Sequence, residues 1–252
     1  DGWRPISDGD GYSLTVMDEA ESDPNMWDEK QGWDASTYIG GTPGEFDDGP
    51  RTGDIVINEV LSHSDGYPND WIELHNTTAS SIDITGWFLS DTDANLLKYE
   101  IPSTSIPAGG YVVFTEDDHF GGEFALSENG EVVYLTSGFD GYGHLTGYRR
   151  TEDFDASENG VSFGRYEKSD GTHNFISMVS QTPGAVNSGP KVGPVVINEI
   201  MYHPDIVGTA EFVELYNITG STVNLYEYDP DIGGNVPWKF TDDGGIDCNM
   251  PP

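Results

Sequence analysis

Short apolar runs that alternate with polar positions dominate the middle of the chain. The stretches 55–60, 71–75, 82–84, 87–89, 111–115, 132–136, 161–166 and 174–179 each read as a β-strand of a few residues. Turn chemistry separates them: Asp65-Gly66-Tyr67-Pro68, Pro107-Ala108-Gly109-Gly110 and Glu128-Asn129-Gly130, the last placing Asn-Gly directly before a strand. No segment sustains the periodicity of a long helix. About eight or nine strands within roughly 135 residues predict an all-β chain built as an antiparallel β-sandwich.

The pattern repeats. Val56-Ile57-Asn58-Glu59-Val60 returns as Val196-Ile197-Asn198-Glu199-Ile200, and Trp71-Ile72-Glu73-Leu74-His75-Asn76 returns as Phe212-Val213-Glu214-Leu215-Tyr216-Asn217. Thr42-Pro43-Gly44 returns as Thr182-Pro183-Gly184, 140 residues later. A period this long implies tandem domains rather than a solenoid. The expected organisation is the C-terminal part of one module over residues 1–48, a complete module over 54–187, and the N-terminal part of a further module over 195–252. Asp47-Asp48-Gly49-Pro50 and the run from Ser188 to Pro194 read as short, stiff linkers. The first piece is nine residues longer than its counterpart between Ser13 and Thr42, around the acidic stretch 18–23, which reads as a solvated loop.

Several of these motifs, in the same order, resemble the lamin tail domain: Val56 to Val60, Asp70 to Asn76, Ile82-Asp83-Ile84-Thr85-Gly86-Trp87-Phe88-Leu89-Ser90-Asp91, and the closing Gln181-Thr182-Pro183-Gly184. The resemblance spans the central module and, in part, both end pieces. It implies an immunoglobulin-like sandwich. It also implies the setting in which bacterial members occur, multidomain secreted or surface proteins, often beside enzymes. The third piece departs from the pattern after Leu225, where Tyr226-Glu227-Tyr228-Asp229-Pro230 stands in place of Gly86-Trp87-Phe88-Leu89-Ser90.

Charge narrows the partners. With 45 acidic residues against 10 basic ones the formal net charge is −35, which hydrates the surface and opposes contact with nucleic acid or anionic lipid. Such a surface suits high ionic strength and collects divalent cations. Cys248 is the single cysteine, so no intrachain disulfide framework exists. No stretch is apolar enough to insert into a membrane, and the start at Asp1 reads as excised from something longer.

Candidate chemistry is sparse. Glu59 and Glu73, repeated as Glu199 and Glu214, have the form of an acid and base pair on neighbouring strands, but read better as structural carboxylates that accept hydrogen bonds, as do Asn58 and Asn76. His63, His75 and Asp65 suggest a zinc site, weakened because position 75 becomes Tyr216 in the third piece. Gly160-Val161-Ser162-Phe163-Gly164 matches a hydrolase nucleophile string with no helix pattern after it, and so reads as a strand. The oxygen spacing of Asp91, Asp93 and Asn95 resembles a calcium loop but lacks its glycine and bidentate glutamate. Asp8 and Asp10 form a second acidic turn, with further clusters at 116–118 and 242–243. Calcium is thus the one cofactor expected, at Asp91, Asp93, Asn95, Asp8 and Asp10. Asn76-Thr77-Thr78 and Asn217-Ile218-Thr219 fit the glycosylation acceptor pattern, and Tyr142, Tyr148 and Trp238 read as exposed aromatics able to stack on sugars.

These features point to a non-enzymatic extracellular or cell-surface segment that acts as scaffold, spacer or adhesion module. Its expected partners are neighbouring modules of the same or identical chains, with head-to-tail assembly into filaments a consequence of the interrupted frame. The alternative is a calcium-dependent module that binds carbohydrate or cell-surface glycans beside an enzyme.

Overall fold

A computed structural model describes residues 3–64, 66, 69–203, 211–229, 233–241 and 247–250. Residues 1–191 form one compact unit and 192–252 another. In the first unit the strands are β1 (Tyr12–Val16), β2 (Trp33–Ile39), β3 (Ile55–Leu61), β4 (Trp71–Asn76), β5 (Ile82–Asp83), β6 (Phe88–Ser90), β7 (Tyr99–Glu100), β8 (Ser105–Ile106), β9 (Tyr111–Thr115), β10 (Gly130–Thr136), β11 (Arg149–Asp155), β12 (Phe163–Glu167) and β13 (His173–Ser177).

Two sheets make the sandwich. One has the order β13-β12-β3-β4-β9, the other β11-β10-β6-β7, and their pairings are antiparallel. Between them lies a single apolar core: Ile55, Ile57, Val60, Ile72, Leu74, Phe114 and Phe163 from the first sheet meet Leu89, Val133, Leu135 and Phe154 from the second. Only one residue in two can face that core along a strand. Yet β3 is buried along its whole length, and β4 nearly so, which means their second face is covered as well.

The structure adds strands that the pattern did not announce. β11 reads Arg-Arg-Thr-Glu-Asp-Phe-Asp, and only Phe154 turns into the core. As an edge strand it needs few apolar residues, and its charges blunt the open edge. The Asn-Gly turn does precede β10, with Gly130 at φ +91°, but β10 pairs with β11 and β6 rather than with a strand before the turn. Glu116–Phe120 forms a short helical turn capped by the Thr115 side chain, 3.3 Å from the Asp118 amide.

Residues 3–52 dock onto this sandwich within the first unit. The buried Asp34 side chain accepts from the Thr52 amide at 2.5 Å and the Thr52 hydroxyl at 2.7 Å, and lies 3.2 Å from Arg4 Nε. On β2, Thr37 C=O accepts from the Gly147 amide at 2.9 Å, while the Tyr12 hydroxyl donates to Leu145 C=O. A side chain at Gly147 would sit 2.2 Å from Ser36 O, so the close approach requires glycine. The stretch around Asp47 is tied to β2: Asp47 accepts from the Thr37 amide at 2.8 Å and from its hydroxyl. The acidic insert 18–23 is largely exposed, as expected, and leads into two short 3₁₀ turns, Pro24–Asp28 and Lys30–Gly32.

The second unit contains three hairpins: β14 (Val195–Met201) with β15 (Phe212–Asn217), β16 (Tyr226–Asp229) with β17 (Gly234–Pro237), and β18 (Lys239–Thr241) with β19 (Asp247–Asn249). Where the third piece departs from the motif after Leu225, it forms the β16–β17 pair. The acidic pair 242–243 lies outside the described residues.

Tyr148 is 5% exposed, not the open aromatic expected, because its hydroxyl is spent inside the fold. It donates to Ile55 C=O and accepts from the Gly53 and Ile55 amides, each at 3.2 Å, and burial pushes its pKa up to about 12. Tyr148→Phe should therefore keep the fold but lower unfolding free energy by about 1–3 kcal/mol, measured by urea denaturation, because backbone groups at the start of β3 lose their partner.

Candidate functional site

A bulge in β3 sets the site. Ile57 opposes Leu74 and Glu59 opposes Glu73, so one residue, Asn58, is extra and the side-chain alternation shifts there. Ile55, Ile57 and Val60 then face the sandwich core, while Glu59 and Glu73 stand side by side on the other face, both fully buried.

The segment after β13 covers them. It folds back through a Met178 to Pro190 bridge, with the Val179 amide on Gly189 C=O at 3.0 Å and the Lys191 amide on Ser177 C=O at 2.7 Å. Glu59 accepts from the Ser162 hydroxyl at 2.5 Å, the Thr182 amide at 3.1 Å and the Thr182 hydroxyl at 2.6 Å. Glu73 accepts from the Gly184 amide at 2.5 Å and from Asn58 Nδ2 at 2.7 Å. The bulged Asn58 also donates to Asn187 Oδ1 at 2.7 Å, and Asn187 Nδ2 returns bonds to the carbonyls of Asn58 and Arg165, each at 2.9 Å. Gly164 makes room: a Cβ there would lie 2.9 Å from Met178 Cε and 3.0 Å from Asn187 Nδ2.

Chemically this is a latch. Three recurrent polar residues of the strand motif, Asn58, Glu59 and Glu73, each bond to a residue more than a hundred positions away. The Ser162 hydroxyl is buried against a carboxylate on a strand, as the absence of a helix pattern after it implied. Burial pushes Glu73 up to about 7, against the lowering effect of the Gly184 and Asn58 hydrogen bonds. Burial, and then the charge of Glu116, likewise raise Asp70 to about 6.

The other candidates fall in different places. His63 follows the end of β3, its Nδ1 2.9 Å from Ser157 O and its Nε2 3.4 Å from Glu128. His75 pairs with Val56 near the other end of that hairpin, seven residues or on the order of 20 Å from His63 by strand rise, and stacks on Tyr111 with ring centroids 4.2 Å apart. The two imidazoles therefore do not meet, and Asp65 lies outside the described residues. In the loop after β6, Ser90 Oγ donates to Asn95 C=O at 2.7 Å, Asn95 Oδ1 accepts from the Leu97 amide at 3.2 Å, and the Lys98 ammonium bonds Asp91. Lys98 carries no sequence signature that marks it as the partner of Asp91 beyond its place seven residues on. Asp93 lines a hollow with Arg4, Lys30, Arg149 and Arg150. Asp8 and Asp10 lie exposed in the turn before β1. No group of three or more His, Cys, Asp or Glu side chains is placed to hold a metal among the described residues.

Asn76 is no open glycan acceptor, because it is buried. Its Nδ2 donates to the carbonyls of Ser80, Ile106 and Pro107 at 2.7–3.1 Å, and its Oδ1 accepts from Thr78. Asn217 makes the equivalent bonds to Ser221 and Thr219 but is exposed. Of the aromatics proposed to stack on sugars, Tyr142 is 90% exposed.

Against known proteins, the family model described as Lamin Tail Domain matches residues 49–149. That stretch carries β3 to β10 and supports an immunoglobulin-like sandwich module, a structural domain type. Neither the curated proteins nor the solved structures yielded a match.

Two outcomes follow from the latch. Glu59→Ala strands the buried Ser162 hydroxyl and the half-buried Thr182 donors and should cost about 3–5 kcal/mol in chemical denaturation, more than Thr182→Ala, at about 1–2 kcal/mol. Raised carboxylate pKa values set the sign of the pH dependence. The folded module keeps protons on Glu73 and Asp70 that the unfolded chain releases near 4.5 and 3.8. This stability is present in full below that range and lost as pH rises through about 6 to 7. Tm should fall between pH 5 and pH 8, and Glu73→Gln should flatten that slope.

Proposed function

We propose that this chain is a non-enzymatic scaffold or spacer segment of an extracellular or cell-surface protein, built from tandem lamin-tail-like sandwiches. The observation that carries this reading is the use of the recurrent polar motif. Asn58, Glu59 and Glu73, the residues that return as Asn198, Glu199 and Glu214, are consumed in closing the module rather than turned to a pocket. A motif kept for closure is what a structural string of domains needs. The formal charge of −35 supports the setting, since it keeps such a string hydrated and self-repelling at high ionic strength. Glycans and divalent cations at the acidic turns belong to the alternative reading, a calcium-dependent binding module.

The Lys98 ammonium on Asp91 already supplies a cation to the loop closest in spacing to a calcium site. Calcium titration of the full chain by calorimetry should then give no saturable heat, and millimolar calcium should leave Tm unchanged at matched ionic strength. Saturable heat with a raised Tm would instead make the acidic loops structural metal sites and favour the calcium-dependent module.

A further inference from the structure

We propose that the hollow over the outer face of β10 and β11 is a binding site for an acidic sugar, a pyranose that carries a carboxylate. The site is separate from the latch and adds a ligand to the scaffold reading without resting on it.

Strand register builds the floor. Val133 and Leu135 face the sandwich core, so Tyr134 and Thr136 turn to the opposite face of β10, where Thr136 is paired with Arg149 and Tyr134 with Thr151. These four residues line a hollow of about 440 Å³, within the range of roughly 300–1,000 Å³ that small-molecule sites occupy. The segment docked on this face contributes Trp3, Arg4, Lys30 and Thr52, and the loop after β6 contributes Asp93.

Two observations point to a polar, anionic guest. Thr136 is 1% exposed, and its hydroxyl has no hydrogen-bond partner among the described residues. A buried hydroxyl in that state costs stability until something supplies the bond. Cations also gather here, although the chain carries a net charge of −35: Arg4, Lys30, Arg149 and Arg150 are four of its ten basic residues. Two of the four are already neutralised. Arg4 lies 3.2 Å from Asp34, whose oxygens also serve Ala35 and Thr52, and Arg150 bonds Glu152 at 2.9 Å. Arg149 spends Nη1 on the carbonyls of Thr146 and Tyr148 and, like Lys30, forms no ion pair with a described residue. Burial lowers the Arg149 pKa, so a carboxylate beside this guanidinium would be held against it with little competition from water. The rest of the lining selects a sugar. Tyr134 and Trp3 supply aromatic surface for the C–H face of a pyranose, and Thr136 and Thr151 pair with its hydroxyls. Exposed Asp93 accepts from a further hydroxyl and repels the carboxylate toward Lys30 and Arg149, which fixes the orientation of the ring.

The test uses the full chain with sodium D-glucuronate as the probe, followed by backbone amide shifts in two-dimensional NMR at constant ionic strength. Saturable shifts should map to Tyr134, Thr136, Arg149 and Thr151, with a Kd on the order of 1 mM. Glucose and acetate, each holding half of the chemistry, should bind at least about tenfold more weakly. Lys30→Glu, at an exposed position, should weaken glucuronate binding about tenfold and leave Tm unchanged. Thr136→Val removes the unpaired hydroxyl, so it should hold or raise Tm while weakening glucuronate about fivefold. Absence of saturable shifts up to about 50 mM glucuronate, shifts confined to another surface, equal affinity for glucose or acetate, or unaltered affinity in either variant would overturn the proposal.

Discussion

Two carboxylates without exposed surface, side by side on neighbouring strands, require donors that the strands themselves cannot provide. Each β-ladder amide is already committed, so Glu59 and Glu73 draw on the chain that passes over them: the amides of Thr182 and Gly184 and the hydroxyls of Thr182 and Ser162. An unpaired buried carboxyl would cost several kcal/mol; the hydrogen bonds offset part of that cost, and at Glu73 burial still prevails and raises its pKa to about 7. The final segment of the module is therefore held by electrostatics across the sheet rather than by apolar burial, and β3 and β4 are enclosed on both faces as a result.

Sheet geometry makes that arrangement attainable. Without the bulge at Asn58, Glu59 would fall on the core face, among Ile57, Leu74 and Phe114, where no donor waits. The bulge also frees Asn58 to orient Glu73 and to exchange hydrogen bonds with Asn187. Gly164 then admits Met178 and Asn187 to van der Waals distance. On the opposite side, the Tyr148 hydroxyl ties the first turn of β3 to the second sheet. The same strand is thus fixed from both faces, by a phenol on one and by a carboxylate on the other.

How much of this was legible in the sequence differs by element. Strands that read as short, β-branched apolar runs bounded by turn residues, such as Ile55–Leu61 and Tyr111–Thr115, were plain. The strand Arg149–Asp155 was not, since an edge with one inward Phe154 leaves almost no apolar period. The recurrence of Glu59 and Glu73 marked them as structural acceptors, but their donors lie 123 and 111 residues away, and no local rule connects them. One signal was present: Thr182-Pro183-Gly184 recurs with the same 140-residue offset as Asn58-Glu59. Tyr148 was misjudged as open surface, because a hydroxyl that looks available in sequence is used by the backbone of β3, whereas Asn76, read as a structural residue, is used by the turn before β9.

The latch is tested most directly by native-state hydrogen exchange at two backbone amides, Thr182 and Gly184, which lie outside any strand and would exchange rapidly if the segment were an ordinary loop. Protection within about tenfold of the β3–β4 ladder amides is the expected result, and it should vanish in Glu59→Ala while Tyr111–Thr115 stays protected. Exchange at the rate of an open loop in the unaltered chain would contradict the account, and would mean that the carboxylates do not hold the closing segment.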